Sequence, residues 1–270
     1  MLPYITLGNR SIPMYAAMIL AGVIAALLYY RHSIRRSDFP EADAELALIY
    51  SVVGVFLGAK LLWLATVWSE FTSELPYLFT SPQLFLQKYL AGGFVFYGGL
   101  FGGLLAAWLY CCINKLPFFE LARVLMPVVP LFHAFGRLGC FFMGCCYGCV
   151  SEHFGLAFTH SEVAPNGVPL FPVQLVEAAG EFALFFLLAR LSRKGKNGRT
   201  LFSTWLSCYA VLRFLLEFFR GDDYIGFLGV LSVSQFFSLI AVCMAAAALV
   251  TNRRTPNRPE IPSETEKQNL

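Results

Sequence analysis

Leu131 to Cys149 reads LFHAFGRLGCFFMGCCYGC, an apolar stretch carrying one histidine, one arginine, four cysteines and four glycines. Arg137 is flanked by Phe135, Gly136, Leu138 and Gly139. A guanidinium at bilayer depth costs about 2.5–3.5 kcal/mol on insertion scales. A chain bears that cost where the arginine has something to hold. One such partner is a phosphate, which the planar fork of donors matches. The other is a carboxylate on a neighbouring helix. The stretch alone leaves both open.

The surrounding chain decides the environment. Its 270 residues are 57% hydrophobic and 14% charged, with a mean hydropathy of +0.63. A soluble domain carries roughly a quarter charged residues, so this is an all-α integral membrane protein. A net charge of +3 is too small to argue for nucleic acid. No zinc-finger spacing, P-loop or dinucleotide fingerprint is present. Apolar segments fall at about 12–30, 45–68, 88–112, 120–143, 172–192, 201–219 and 230–250. Each is long enough to cross a ~30 Å hydrocarbon core as a helix. The first lacks a positive leader region and is read as an uncleaved helix.

Basic residues alternate in the connections. Arg31, Arg35 and Arg36 follow the first segment, Lys115 and Arg123 the third, and Arg190, Arg193, Lys194, Lys196 and Arg199 the fifth. Arg253, Arg254, Arg258 and Lys267 lie in the tail, while the other side offers only Arg10, Lys88 and Arg220. The expectation is one seven-helix transmembrane domain over 1–250, N-terminus outside and C-terminus cytoplasmic. A polar, proline-containing, disordered tail at 251–270 would lie in the cytoplasm. The outer connection 144–171 has turn signals at Pro165, Asn166, Gly167 and Pro169, and is expected to form a small external cap or short β-structure. This orientation puts Arg137, Arg213 and Tyr97 at one level in the outer half of the bilayer.

Tyr209, Arg213 and Glu217 are spaced by four residues, with Arg220 three further on, which places all four on one helical face. Either Arg213 and Glu217 neutralise each other, or Glu217 orients Arg213 toward a ligand while Tyr209 adds a hydroxyl. Gln174, Glu177 and Glu181 also share a face; they pair with Arg137 or Arg213, or face the wet outer rim. The glycines around Tyr97, from Ala91 to Gly103, serve close helix packing or a ligand beside the main chain. Cys140, Cys145, Cys146 and Cys149 stand apart from Cys111, Cys112, Cys208 and Cys243, which lie inside apolar runs. Three readings compete for this cluster: packing, a disulfide at an oxidising surface, or metal binding or nucleophilic use.

GGFVFYGGLFGG, HAFGRLGCFFMG, FPVQLVEA and YAVLRFLLEFFR occur in an order and spacing that resembles the bacterial prolipoprotein diacylglyceryl transferases. LSVSQFFS, from Leu231 to Ser238, resembles that family's last-helix motif, and Tyr15 matches a family tyrosine. The resemblance covers nearly the whole chain. It implies a multi-pass enzyme of the bacterial plasma (inner) membrane. That enzyme moves diacylglycerol from phosphatidylglycerol to the lipobox cysteine thiol of a prolipoprotein, forming a thioether and releasing glycerol phosphate. It implies the lipid bilayer as a partner, no cofactor and no metal. Arg137 matches the phospholipid-binding arginine and Arg213 a second essential one. Tyr209, Glu217, Arg220, Gly98 and Gly148 fall on family positions. The chain departs from the pattern at Tyr97, where the family has a histidine often assigned as the base. Cys140 stands in place of an asparagine, and Met143, Gly144 and Cys145 in place of Asn-Gly-Glu. Arg123 takes the place of an aspartate.

The expected catalytic residues are therefore Arg137, Arg213, Tyr97 and His133, the last standing four residues before Arg137 on the same helical face. The expected substrate contacts are Arg137, Arg213, Tyr209, Glu217, Arg220, Tyr15, Gly98, Cys140 and Gly148. Competing functions are a paralogue with another acceptor, a non-catalytic phospholipid-binding protein, and a thiol oxidoreductase built on the cysteines.

Overall fold

The computed structural model describes residues 3–7, 10–221 and 231–252. The expected disordered tail falls almost wholly outside the described residues. In chain order the elements begin with a hairpin, β1 (Tyr4–Leu7) and β2 (Arg10–Pro13), paired antiparallel with Tyr4 opposite Pro13. Then come α1 (Met14–Ile34), α2 (Glu41–Thr66), α3 (Trp68–Glu74), α4 (Tyr77–Thr80), α5 (Pro82–Leu86), a π-turn at Gln87–Ala91 and α6 (Phe96–Ile113). They are followed by α7 (Phe118–Leu125), α8 (Val128–Met143), β3 (Leu156–Ala157), β4 (Pro169–Leu170), α9 (Val173–Arg193), α10 (Gly198–Leu216) and α11 (Val233–Asn252).

Burial is inverted relative to a water-soluble fold. Gln174, Glu177, Glu181, Arg137, Arg213 and Gln235 are buried, while Leu28, Phe56, Leu61, Phe186 and Phe218 are exposed. Water would penalise so broad an apolar exterior, and a bilayer does not. Among the described residues, α1, α2, α6, α10 with its one-turn extension, and α11 are long and apolar enough to cross a membrane. The pair α7–α8, bent by 41°, makes a sixth candidate. Pro127 stands at the bend, where its ring removes a backbone donor. The protein is multi-pass. Every apolar segment expected from the sequence holds a helix, but α9 carries Glu177, Glu181 and Arg190 and is too polar for composition alone to mark it as a span.

The described chain packs as two compact units, one of residues up to Asp38 together with those from Phe119 onward, the other of Phe39–Phe118. In the second unit α2 packs on α6. A Cβ added to Gly98 or Gly102 would stand 2.3 Å from the carbonyl oxygen of Gly58 or Gly54 respectively, so these glycines serve backbone-to-backbone packing. The third apolar segment, expected as one helix from 88, opens with the π-turn at Gln87–Ala91 and resumes as α6 only at Phe96. Gly92 and Gly93 interrupt it, Gly93 with a φ of 63° and seated against the Trp63 ring. Lys60, inside α2, donates to the carbonyls of Gly92 and Gly93 and lies 4.5 Å from the Trp63 ring centre, so its charge is met locally. The connection between α2 and the third apolar segment holds the short helices α3–α5, tied back by Lys88 to Glu70 at 2.7 Å and to Glu74 at 2.8 Å.

In the first unit α1 packs on α8, α8 on α9, α9 on α10 and α10 on α11. Asn197 caps α10 by accepting from Thr200 N at 2.9 Å. Ser232 and Gln235 cap α11 reciprocally, each side chain accepting from the other's backbone N–H at 3.1 Å. The 144–171 connection forms the expected short β-structure. β3 and β4 pair, Val150 bridges Leu170, and Phe158, Ala164 and Leu170 make a small core.

Candidate active site

Helix α9 organises the site. Gln174, Glu177 and Glu181, at i, i+3 and i+7, turn inward and are 1%, 0% and 0% exposed. The wet-rim reading of this face is therefore wrong. α8 supplies the partners. Arg137 Nη2 pairs with Glu177 Oε1 at 2.9 Å. His133 Nδ1 meets Glu181 Oε1 at 2.7 Å, so Glu181 pairs with neither of the two arginines that the sequence offered it. Gln174 Nε2 donates to the Cys145 carbonyl at 2.8 Å, fastening the end of α8 to α9.

α10 brings the second guanidinium. Arg213 Nη2 pairs with Glu217 at 2.6 Å and donates to Ser234 Oγ of α11 at 3.1 Å. The local ion pair thus exists, and it leaves part of the guanidinium over: Arg213 Nη1 is buried without a hydrogen-bond partner among the described residues, as is Arg137 Nε. Two buried cationic donors left unsatisfied are costly. Ser234 was missed as a site residue; the signal was its place in the LSVSQFFS stretch. Glu177 lies within electrostatic reach of Arg137, Arg213, His133 and Arg220, so these four share one polar interior. Tyr209 joins them, with its ring centre 5.5 Å from that of His133.

Arg220 corrects a sequence expectation. α10 ends at Leu216, one 3₁₀ turn follows over Glu217–Phe219, and Arg220 is extended, so it does not share the helical face of Tyr209 and Arg213. Its backbone bridges Gly148 instead. The 147–149 segment threads between two other stretches of the backbone: Cys149 N donates to Phe219 O at 2.8 Å, and Phe171 N to Cys149 O at 2.9 Å. A Cβ on Gly148 would lie 2.3 Å from Phe171 O and 2.8 Å from Phe219 O. Both obstacles are backbone. Gly148→Ala is predicted to destabilise the protein by about 1–3 kcal/mol, read as a lowered thermal unfolding midpoint in detergent. An unchanged midpoint would contradict the close approach.

Tyr15 packs on Gly139, whose added Cβ would meet the tyrosine ring at 2.9 Å, and so stands beside the Arg137–Cys140 turn. Tyr97 and Gly98 open α6 in the other unit. There Tyr97 is buried and stacks on Phe101 with ring centres 6.1 Å apart. Of the four clustered cysteines, Cys140, Cys145 and Cys146 bring their sulfurs within 4.8 Å of one another, without Cys149. Hydrogen bonds from the Cys140 and Cys145 thiols hold Cys146 below the ordinary thiol pKa, helped by Arg137 and Arg220 and opposed by burial.

The arrangement brings two guanidiniums with unmatched donors, and an imidazole oriented by a carboxylate, into one buried polar interior. Comparison with known proteins points the same way. The family model described as prolipoprotein diacylglyceryl transferase matches residues 3–251. A phosphatidylglycerol–prolipoprotein diacylglyceryl transferase of Clostridium tetani is 33% identical over 229 residues, 84% of this chain and 88% of its own. One from Clostridium perfringens is 34% identical, covering 83% and 85%. Another, from Cupriavidus metallidurans, is 32% identical over 94% and 93%. Similarity that runs the length of both partners and takes in the helices bearing Arg137, Glu177 and Arg213 places this chain in the prolipoprotein diacylglyceryl transferase family.

Proposed function

We propose that this protein transfers the diacylglyceryl group of phosphatidylglycerol to the lipobox cysteine thiol of a prolipoprotein, forming a thioether and releasing glycerol phosphate. The observation that carries the reading is the pair of buried guanidiniums, Arg137 and Arg213, each with an N–H that no described residue satisfies. A phosphodiester is the anion that both fits these forks and is abundant in a bilayer. Their charge stabilises the phosphate as it takes up the electrons of the breaking C–O bond. Tyr209, Glu217, Arg220, Tyr15, Cys140 and Gly148, all in the unit that carries the two guanidiniums, are assigned to substrate contacts; Gly98 packs on Gly58 within its own unit.

The thiol must lose its proton. His133 is the proposed base. A neutral imidazole that donates Nδ1–H to Glu181 presents its other nitrogen as an acceptor. Tyr97, in place of the family histidine, is assigned to binding or to a hydroxyl contact, since an ordinary phenol has a pKa near 10 and is protonated at neutral pH.

All seven long helical segments are assigned as spans of one domain over 1–250, α9 included because its carboxylates face inward. The N-terminus lies outside and the C-terminal tail in the cytoplasm of a bacterial plasma (inner) membrane. The basic connections support this orientation. An alkaline phosphatase reporter fused after Asp38 is predicted to be inactive, and one fused after His160 active; the reverse pattern would overturn the orientation.

The activity is tested by incubating purified protein with labelled phosphatidylglycerol and a lipobox peptide. Appearance of the thioether peptide is expected. A peptide left unmodified while phosphatidylglycerol binds would redirect the proposal to another acceptor.

A further inference from the structure

Cys140, Cys145 and Cys146 are assembled by the backbone, not merely adjacent in sequence. Cys140 lies on the last turn of α8. Gly144, with a φ of 78°, ends the helix in the left-handed conformation, and Gly144 N and Cys145 N both return to Cys140 O. Cys146 is itself left-handed, with a φ of 56°, a strained conformation that an L side chain rarely adopts. The result is three half-buried thiols, none in a disulfide, with sulfurs within 4.8 Å of one another. A packing cysteine requires no such backbone.

The geometry suits a thiophilic divalent cation. Zinc bound tetrahedrally at about 2.3 Å from each sulfur sets the sulfurs roughly 3.8 Å apart, a closure of about 1 Å from the observed limit. Three protein ligands with a fourth position open is the pattern of zinc sites that act on a bound molecule; structural sites are closed by four. Cys149, the nearest fourth thiol in sequence, is outside the group because its backbone is committed to Phe219 and Phe171. Three thiolates around a dication leave one net negative charge, and the positive charges of Arg137 and Arg220 reach the cluster.

We propose that Cys140, Cys145 and Cys146 hold a zinc ion whose open fourth position takes the acceptor cysteine as a thiolate, beside the phosphate held by Arg137. This rests on the transferase reading and departs from the expectation of a metal-free enzyme. A free thiol has a pKa near 8.5, and a thiol on zinc is deprotonated outright. The S–H proton passes to the base of the site, His133 on the reading above. The sulfur electron pair then forms the S–C bond to the glycerol carbon of the lipid. The C–O bond to phosphorus-bound oxygen breaks, its electrons stay on that oxygen, and glycerol phosphate leaves. The neutral thioether is a weak ligand and dissociates from the metal. Such a site compensates for a tyrosine where the family carries a histidine, because a coordinated thiol needs only a weak base.

Full-length protein, purified in detergent with a phosphine reductant and stripped with chelator, would be titrated with Co²⁺. One equivalent should give the intense visible bands and thiolate charge transfer of a tetrahedral sulfur site, and zinc should displace it. Cys140→Ala, Cys145→Ala and Cys146→Ala should each weaken binding by more than the roughly 10–100-fold that losing a mere supporting partner costs. Cys208→Ala and Cys243→Ala should leave binding and transfer unchanged. A lipobox peptide should shift the bands and its serine analogue should not. X-ray absorption of the zinc-loaded wild type, expected to show three sulfurs, decides the matter should an alanine variant fail to fold. Absence of stoichiometric metal, or binding that survives Cys146→Ala, overturns the proposal. Undiminished transfer by stripped enzyme removes the metal and keeps the transferase. Bands that respond to the cysteine peptide without any transfer keep the metal site and overturn the transferase reading.

Discussion

Arg137→Ala is expected to reduce diacylglyceryl transfer by about 10³-fold or more, the scale seen when one preorganised donor or a transition-state arginine is removed. The substitution acts twice. It withdraws the guanidinium from the phosphate, and it strands Glu177, fully buried, without its counter-charge. Breaking one side of a buried pair costs about 3–5 kcal/mol, so loss of activity in the alanine variant alone could reflect unfolding. Arg137→Gln combined with Glu177→Gln removes both charges at similar volume. It should retain the wild-type thermal midpoint within a few degrees while remaining inactive. Arg137→Lys keeps the charge and loses the planar fork, and an intermediate loss of about 10–100-fold is expected. A folded double variant with transfer within tenfold of wild type would show that Arg137 is a structural cation and would sink the phosphate assignment.

Much of this site could be read in the sequence because the membrane makes polar residues conspicuous. Arg137 and Arg213 stand out against apolar flanks, and the i, i+3, i+7 face of Gln174, Glu177 and Glu181 needs only helical geometry. Which carboxylate meets which cation was not legible, since that depends on the rotation of α9 against α8. The local alternative, Arg213 with Glu217, was legible because both lie on one helix. Arg220 was misplaced for a related reason. Periodicity carries a helix onward until tertiary pairing stops it, and here the 147–149 strand captures the chain at Phe219. The break at Gly92–Gly93 was hidden by its apolar neighbours, and the four-residue strands β1 and β2 were too short to show a period. The cysteine cluster shows the same limit. Spacing named four candidates, but only the left-handed turns at Gly144 and Cys146 select three of them.

His133→Ala is expected to lower turnover by about 10²–10⁴-fold, the usual contribution of a positioned proton acceptor, with little change in KM for phosphatidylglycerol. The split follows from geometry. His133 is held by Glu181 at 2.7 Å and edge-on to Tyr209, while the guanidiniums make separate contacts with Glu177, Glu217 and Ser234. A merely packed histidine would instead show its loss in stability, with turnover preserved in the folded fraction. Glu181→Gln separates the two further. An amide of the same shape accepts from Nδ1–H but carries no charge to favour the imidazolium as it forms, so turnover should fall by a smaller factor than in His133→Ala. Once His133 is gone its orienting partner has nothing to orient, so the double variant should be hardly worse than His133→Ala alone. Added imidazole should restore part of the activity of His133→Ala and none of that of Arg137→Ala. If His133→Ala transfers at the wild-type rate, the proton goes elsewhere, and a thiol already deprotonated at the three cysteines becomes the simpler account of how this enzyme works without the family's histidine.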